Sequence, residues 1–180
     1  MTLPKTCVLD SCFVIDWVKW RKRDSIKQIF SIALMPETAL KELATLEPLR
    51  AVREWISSGW LTVYPHFREL EDEALEFMLN ARTDPRIPRI DMPEAICAVL
   101  AKRLGSAVLT ENRGILRAYS LRGDLFGRAT VLNSIRLIAF LHKNGFLSGS
   151  FCELVEEYES DTKHSFSRRE IEVVRKDFGI

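Results

Sequence analysis

Histidine is scarce in this sequence: three residues, His66, His142 and His164, among 180. Their wide separation disfavours both a zinc site and a histidine-based nucleophile. Cysteine is sparing too. Cys7, Cys12, Cys97 and Cys152 sit in apolar contexts without CxxC spacing and read as buried, reduced thiols, not as a disulfide framework. Long hydrophobic runs are missing: nothing approaches the ~20 apolar residues of a membrane-spanning helix. No signal peptide is legible at the start, so a soluble cytoplasmic protein without a membrane partner is expected. Excess charge of either sign is also missing, with 26 Lys plus Arg against 25 Asp plus Glu. Any recognition of nucleic acid must therefore come from local patches.

What is present suits one globular domain spanning 1–180, at 47% apolar and 28% charged residues. Apolar runs of strand length alternate with helical spacing. Strands are expected at Lys5 to Leu9, Ile32 to Met35, Leu61 to Tyr64 and Ala107 to Thr110. Helices are expected from Phe13 to Trp20, from Pro36 to about Leu46, through Trp55 to near Gly59, from Glu69 to Ala81 and from Ala95 to Leu104. Val131 to Leu141, Phe151 to Tyr158 and a last helix opened by the capping-box pattern Ser167-Arg168-Arg169-Glu170 make residues 130–180 a helical extension. Strands separated by helices predict an α/β fold, three layers α/β/α with a mainly parallel central sheet.

In such sheets ligands bind beyond the carboxyl ends of the strands. Asp10 interrupts the run Cys7-Val8-Leu9 at such an end, and Glu111-Asn112 follows the strand at Ala107 to Thr110. Glu42 falls on the helix after the second strand, and Glu94 on the first turn of the helix leading into the fourth. Four segments can thus bring acidic or amide groups to one rim. Simpler roles remain open for each: Asp10, Asp91, Glu111 and Asn112 can serve as helix caps, Glu94 suits a helix's first turn, and Glu42 suits a solvated helix face. Arg113 and Arg117 directly follow the rim and are the best-placed cations for phosphate. Arg21-Lys22-Arg23, Arg86 with Arg89 and Arg122 with Arg128 are further basic groups. The tryptophans Trp17, Trp20, Trp55 and Trp60 are expected in the core.

"CVLDSCFVIDW" resembles the opening strand of PIN-domain nucleases, where an aspartate followed by Ser or Thr ends the first strand. "MPETALKEL" is similar to their second segment, whose glutamate matches Glu42. "DMPEAICAVLAKRLGSAVLTENRGI" is similar to the segment in which an acid opens an apolar helix and a strand ends in Thr-x-Asp, placing Glu94 and Asn112 at acid positions. "GRATVLNSIRLIAFLHKNGFLSG" resembles the tail of a prokaryotic branch of PIN-like proteins. The resemblance implies an endoribonuclease holding Mg²⁺ or Mn²⁺, with Asp10, Glu42, Glu94 and Asn112 as the catalytic set. Asp10, Glu42, Glu94, Asp91 and Glu111 would be the metal residues, and Ser11, Thr110, Arg113 and Arg117 the contacts to RNA. It further implies a homodimer and an antitoxin protein as partner. The chain departs from the family at Asn112, which lacks the charge of an aspartate and keeps a non-cleaving binding module as the alternative. An aspartate-based phosphatase is a third reading, weakened by Cys12 where such enzymes carry a second aspartate.

Overall fold

Strands covered on both faces need unbroken apolar runs, not alternation. Cys7-Val8-Leu9 and Ala107-Val108-Leu109 supply them, with all six side chains fully buried. The computed structural model describes residues 2–180. Its sheet has five parallel strands, β1 (Thr6–Leu9), β2 (Ile32–Pro36), β3 (Leu61–Tyr64), β4 (Ala107–Leu109) and β5 (Thr130–Leu132), in the order β3-β2-β1-β4-β5. Val8 lies level with Leu34 on one side and Val108 on the other. Helices flank this sheet, giving an α/β fold of the expected three-layer kind.

The chain steps outward from β1 to β3, then returns to the other side of β1 to begin β4. That reversal leaves a crevice at the carboxyl ends of β1 and β4, the usual ligand position in open α/β sheets. Between the strands run α1 (Ser11–Trp17), α2 (Glu37–Leu40), α3 (Leu46–Ser57), α4 (Arg68–Ala81), α5 (Met92–Leu104) and α6 (Arg113–Leu121). After β5 come α7 (Ser134–Lys143), α8 (Phe151–Thr162) and α9 (Arg168–Phe178). Every residue of α5 from Ala95 to Ala101 is buried, as befits a helix pressed on β1, β2 and β4 and packed against α4. Gly105, at φ 59°, closes it in the left-handed conformation that glycine adopts without cost.

Three sequence expectations are corrected. The helix expected from Pro36 to Leu46 is only α2, because Glu42 and Leu43 donate to Ala39 and Leu40 three residues back, a tight turn that buries Leu43. Glu42 therefore stands on a turn, and Pro48 lies in the first turn of α3, where a missing N–H costs nothing. Val131 opens no helix. It belongs to β5, and Asn133, whose side chain accepts from the Arg136 N–H, starts α7 two residues later. Of the cysteines, Cys7 and Cys97 are buried, Cys12 is half-buried and Cys152 is exposed.

An aromatic cluster docks the C-terminal helices. Tyr158 of α8 is fully buried, its ring centroid 5.8 Å from Trp17, 5.6 Å from Trp20 and 5.7 Å from Phe166. Tyr158→Ala is expected to lower the unfolding free energy in urea by about 3–5 kcal/mol, the cost of emptying an aromatic-sized space. A loss below about 1 kcal/mol would mean that the tail is not part of the cooperative unit.

Candidate active site

Asp10 continues the β1–β4 ladder through its backbone, donating to the Leu109 carbonyl at 3.1 Å. It sits at the N-cap position of α1, yet its side chain makes no capping bond. Its Oδ2 instead accepts from Thr110 Oγ1 at 2.5 Å and Cys12 Sγ at 2.8 Å, while Oδ1 is buried with no hydrogen-bond partner among the described residues. Burial pushes this carboxyl above the ordinary range, against the nearby donors of Cys12, Thr110 and Ser11, which lower it. Cys12 stays a thiol: burial first, then the charge of Asp10, drives its ionisation far upward. The neutral S–H is thus a donor, and its sulfur accepts in turn from the Glu111 N–H at 3.2 Å.

Glu94, the third residue of α5, faces the same crevice. Its Oε1 accepts from Asn112 Nδ2 at 3.0 Å, and its Oε2 is buried with no hydrogen-bond partner among the described residues. Burial raises this carboxyl, and the negative charges of Asp10, Glu42 and Asp91 raise it further. Asn112 caps α6, its Oδ1 taking the Ile115 N–H at 3.0 Å, so its carbonyl is already used and its amide N–H₂ points at Glu94. Gly114 lets the start of α6 pack closely on the loop that leads into α5, since a Cβ there would meet Ile90 Cγ1 at 2.7 Å. Thr110 ties the two acids together, because its Oγ1 holds Asp10 and accepts from the Asn112 N–H at 3.0 Å. Ser11 donates to Glu42 Oε2 at 2.5 Å, linking the α2 turn to the same rim.

The other sequence candidates lie differently. Asp91 is exposed, and its Oδ1 accepts from Arg89 Nε at 2.8 Å. Glu111 turns its buried carboxylate away from the crevice. It accepts from the Ser134 N–H at 2.7 Å and from Ser134 Oγ, with His164 Nε2 3.8 Å from Oε2. Arg113 and Arg117 are exposed on the first two turns of α6. The cluster Arg21-Lys22-Arg23 is ion-paired with Asp161, Glu157 and Glu54. Cys12 as a prop for Asp10 had no sequence signal beyond standing two residues away. The chain Glu111–Ser134–Tyr158, closed by a 2.8 Å bond from the Tyr158 hydroxyl to Ser134 Oγ, had none.

Among the described residues no three His, Cys, Asp or Glu side chains are gathered as a ready ligand group. A hard cation asks for less: Mg²⁺ is commonly held by one or two carboxylates with its remaining positions filled by water. Asp10 Oδ1 and Glu94 Oε2 are all-oxygen donors left unsatisfied. Among the described residues neither carboxylate, nor Glu42, has an ion-pair partner. The donor set fits such an ion. A buried acid cluster without a cation also has a stability consequence. Because the folded carboxyls hold protons to higher pH than unfolded ones, stability falls as pH rises through the window between the two values, and the full penalty stands above it. Asp10→Asn keeps the shape and removes the charge, so in EDTA at neutral pH it is expected to raise the melting temperature, at about 2–4 °C per kcal/mol. The gain should vanish in acid below the ordinary carboxylate range, and a lower melting temperature at neutral pH would contradict the account.

No protein-family model and no curated protein matches this chain, which leaves its own residues to carry any functional reading.

Proposed function

We propose that this chain is a PIN-like endoribonuclease that uses Mg²⁺ or Mn²⁺ to hydrolyse phosphodiester bonds of RNA. The observation that carries the reading is the pair of buried, unpartnered carboxylate oxygens, Asp10 Oδ1 and Glu94 Oε2, at the point where the strand order reverses. Unsatisfied buried polar atoms are costly, and two on carboxyls of which one feels the charge of the other are best explained by a cation between them. Asp10 and Glu94 are the proposed metal residues, with Glu42 completing the acidic rim through Ser11. A bound divalent ion would supply neutralisation of charge on the phosphate and a lowered pKa for an attacking water.

The surrounding residues act by holding geometry. Thr110 and Cys12 fix Asp10 by one oxygen and leave the other free. Asn112 does the same for Glu94. Its role is therefore orientation, not ligation, and the absent fourth acid is replaced by a hydrogen bond. Arg113 and Arg117, exposed beside the rim, are proposed to meet the phosphates of the substrate. A homodimer and an antitoxin partner belong to the same reading. The engaged carbonyl of Asn112 favours one competing view, a PIN-like module that binds RNA without cutting it.

Cleavage of a mixed single-stranded RNA pool decides between them. Wild type is expected to cut with Mn²⁺ or Mg²⁺ and not in EDTA, and Asp10→Asn and Glu94→Gln to lose at least ~100-fold in rate, the scale of removing one charge-stabilising group from a site. Metal-dependent cutting that survives in both variants would refute the assignment, and RNA binding without cutting would support the module. Metal alone gives a separate readout: saturating Mn²⁺ is expected to raise the melting temperature of wild type, by about 2.7 kcal/mol of stability at one hundred times Kd, and to leave Asp10→Asn unmoved.

A further inference from the structure

Glu111 is a buried acid that the proposed reaction leaves unused, its side chain 10% exposed and directed away from the crevice. Burial raises this carboxyl, and the two bonds from Ser134 and the charge of His164 offset only part of that rise. A solvated side chain in the same loop would avoid the cost. The place of Glu111 in the chain accounts for it. Thr110 on one side aims Asp10, and Asn112 on the other aims Glu94. The Glu111 N–H donates to Cys12 Sγ at 3.2 Å, and that thiol donates to Asp10 Oδ2 at 2.8 Å.

The grip on its carboxylate comes from the C-terminal helices. Ser134, the first residue of α7, gives Oε1 both its N–H, at 2.7 Å, and its hydroxyl hydrogen. The anion thus sits at a helix N-terminus, where the backbone dipoles favour it. A serine hydroxyl has one hydrogen to give, so the Tyr158 O–H of α8, 2.8 Å away, donates to the Ser134 oxygen and fixes the direction of that hydrogen. Ser134 and Tyr158 are fully buried, which keeps these bonds from water. On the other oxygen, His164 Nε2 lies 3.8 Å from Oε2, and the same ring meets Asp16 Oδ2 of α1 at 3.0 Å. One line of bonds therefore runs from Tyr158 through Ser134, Glu111 and Cys12 to Asp10.

We infer that Glu111 is a positioning residue through which the docked C-terminal helices set the metal affinity of Asp10 and Glu94. The inference rests on the metal-dependent reading of that pair and adds to it a control exerted by the tail. Held from behind by its carboxylate, Glu111 keeps residues 110–112 in place, so that the Thr110 hydroxyl and the Asn112 amide stay aimed and the thiol stays on Asp10. With α8 displaced, Ser134 loses the bond that orients it and both acids lose their aim. Loss of such supporting partners typically costs about 10–100-fold in metal affinity. A tail that only packs against the sheet would alter stability and leave metal affinity alone.

The test is Mn²⁺ binding to the full chain without RNA, followed by the electron paramagnetic resonance signal of the free ion, at a temperature where every variant is folded. Tyr158→Phe removes one hydroxyl and keeps the ring in its aromatic contacts, and Glu111→Gln keeps the shape and removes the charge. Each is expected to raise the Kd for Mn²⁺ at least ~10-fold. Because both cut the same line, the double variant should bind within ~2-fold of the worse single one. Phe178→Ala empties a buried position of α9 that lies outside the line. It is expected to lower the melting temperature and to change Kd less than ~2-fold. Asp10→Asn, which removes the proposed ligand itself, is expected to abolish binding. If wild type binds Mn²⁺ and Asp10→Asn does not, the metal reading stands. The inference is then overturned if either Tyr158→Phe or Glu111→Gln binds as tightly as wild type, if their losses add in full, or if Phe178→Ala weakens binding as much as they do. If wild type binds no Mn²⁺, both readings fall together.

Discussion

A carboxylate held out of water by two neutral donors on one oxygen and by nothing on the other is the constraint around which the rim of this sheet is organised. Thr110 and Cys12 cannot neutralise Asp10; they only fix where its charge points. Burial makes that charge expensive, and at Glu94 the charges of Asp10, Glu42 and Asp91 add to the cost. A fold selected for stability alone would place an apolar or amide side chain here. The arrangement makes sense when the second oxygen has a partner of opposite charge to meet, and the same logic applies to Glu94 across the crevice.

The two acids are brought together by a short relay of neutral groups. Thr110 bonds to Asp10 through its hydroxyl hydrogen and to Asn112 through its oxygen, and Asn112 spends one end of its amide on α6 and the other on Glu94. Each member has a single hydrogen-bond direction left once its neighbour is set, so the relay fixes the orientation of both carboxylates. An aspartate in place of Asn112 could cap α6 equally well but would face Glu94 with like charge. Behind the relay, Glu111 reaches in the opposite direction to Ser134, and Tyr158 completes that contact from α8. The C-terminal helices are therefore joined to the rim by polar bonds as well as by packing against Trp17 and Trp20.

Much of this was legible in the residues. Unbroken apolar runs ended by Asp10 and by Glu111-Asn112 gave away two adjacent strand ends, and Gly105 marked the end of α5. Acids on separate segments could be placed on one rim because strand ends in a parallel sheet share a side. What escaped was set by direction, not by position. Glu111 and Thr110 are neighbours in sequence and point to opposite sides of the chain, a difference decided by the β4 pleat and by Ser134, which lies 23 residues on. The run from Val131 concealed a strand because only Asn133 and Ser134 separate it from the apolar residues of α7. Glu42 left its helix because Leu43 had a buried place to fill.

The bond between Thr110 and Asp10 spans 100 residues of chain. Asp10 is synthesised well before its partner strand, since two strands, β2 and β3, and the five helices α1 to α5 lie between them. Closing so long a loop is among the slower events available to a chain of this kind. Until β1 and β4 pair, Asp10 is an ordinary solvated carboxylate and Glu94 lacks the amide that aims it. A protein proposed to cut RNA is itself made on RNA, and this topology withholds the assembled rim from every chain in which β4 has yet to be made.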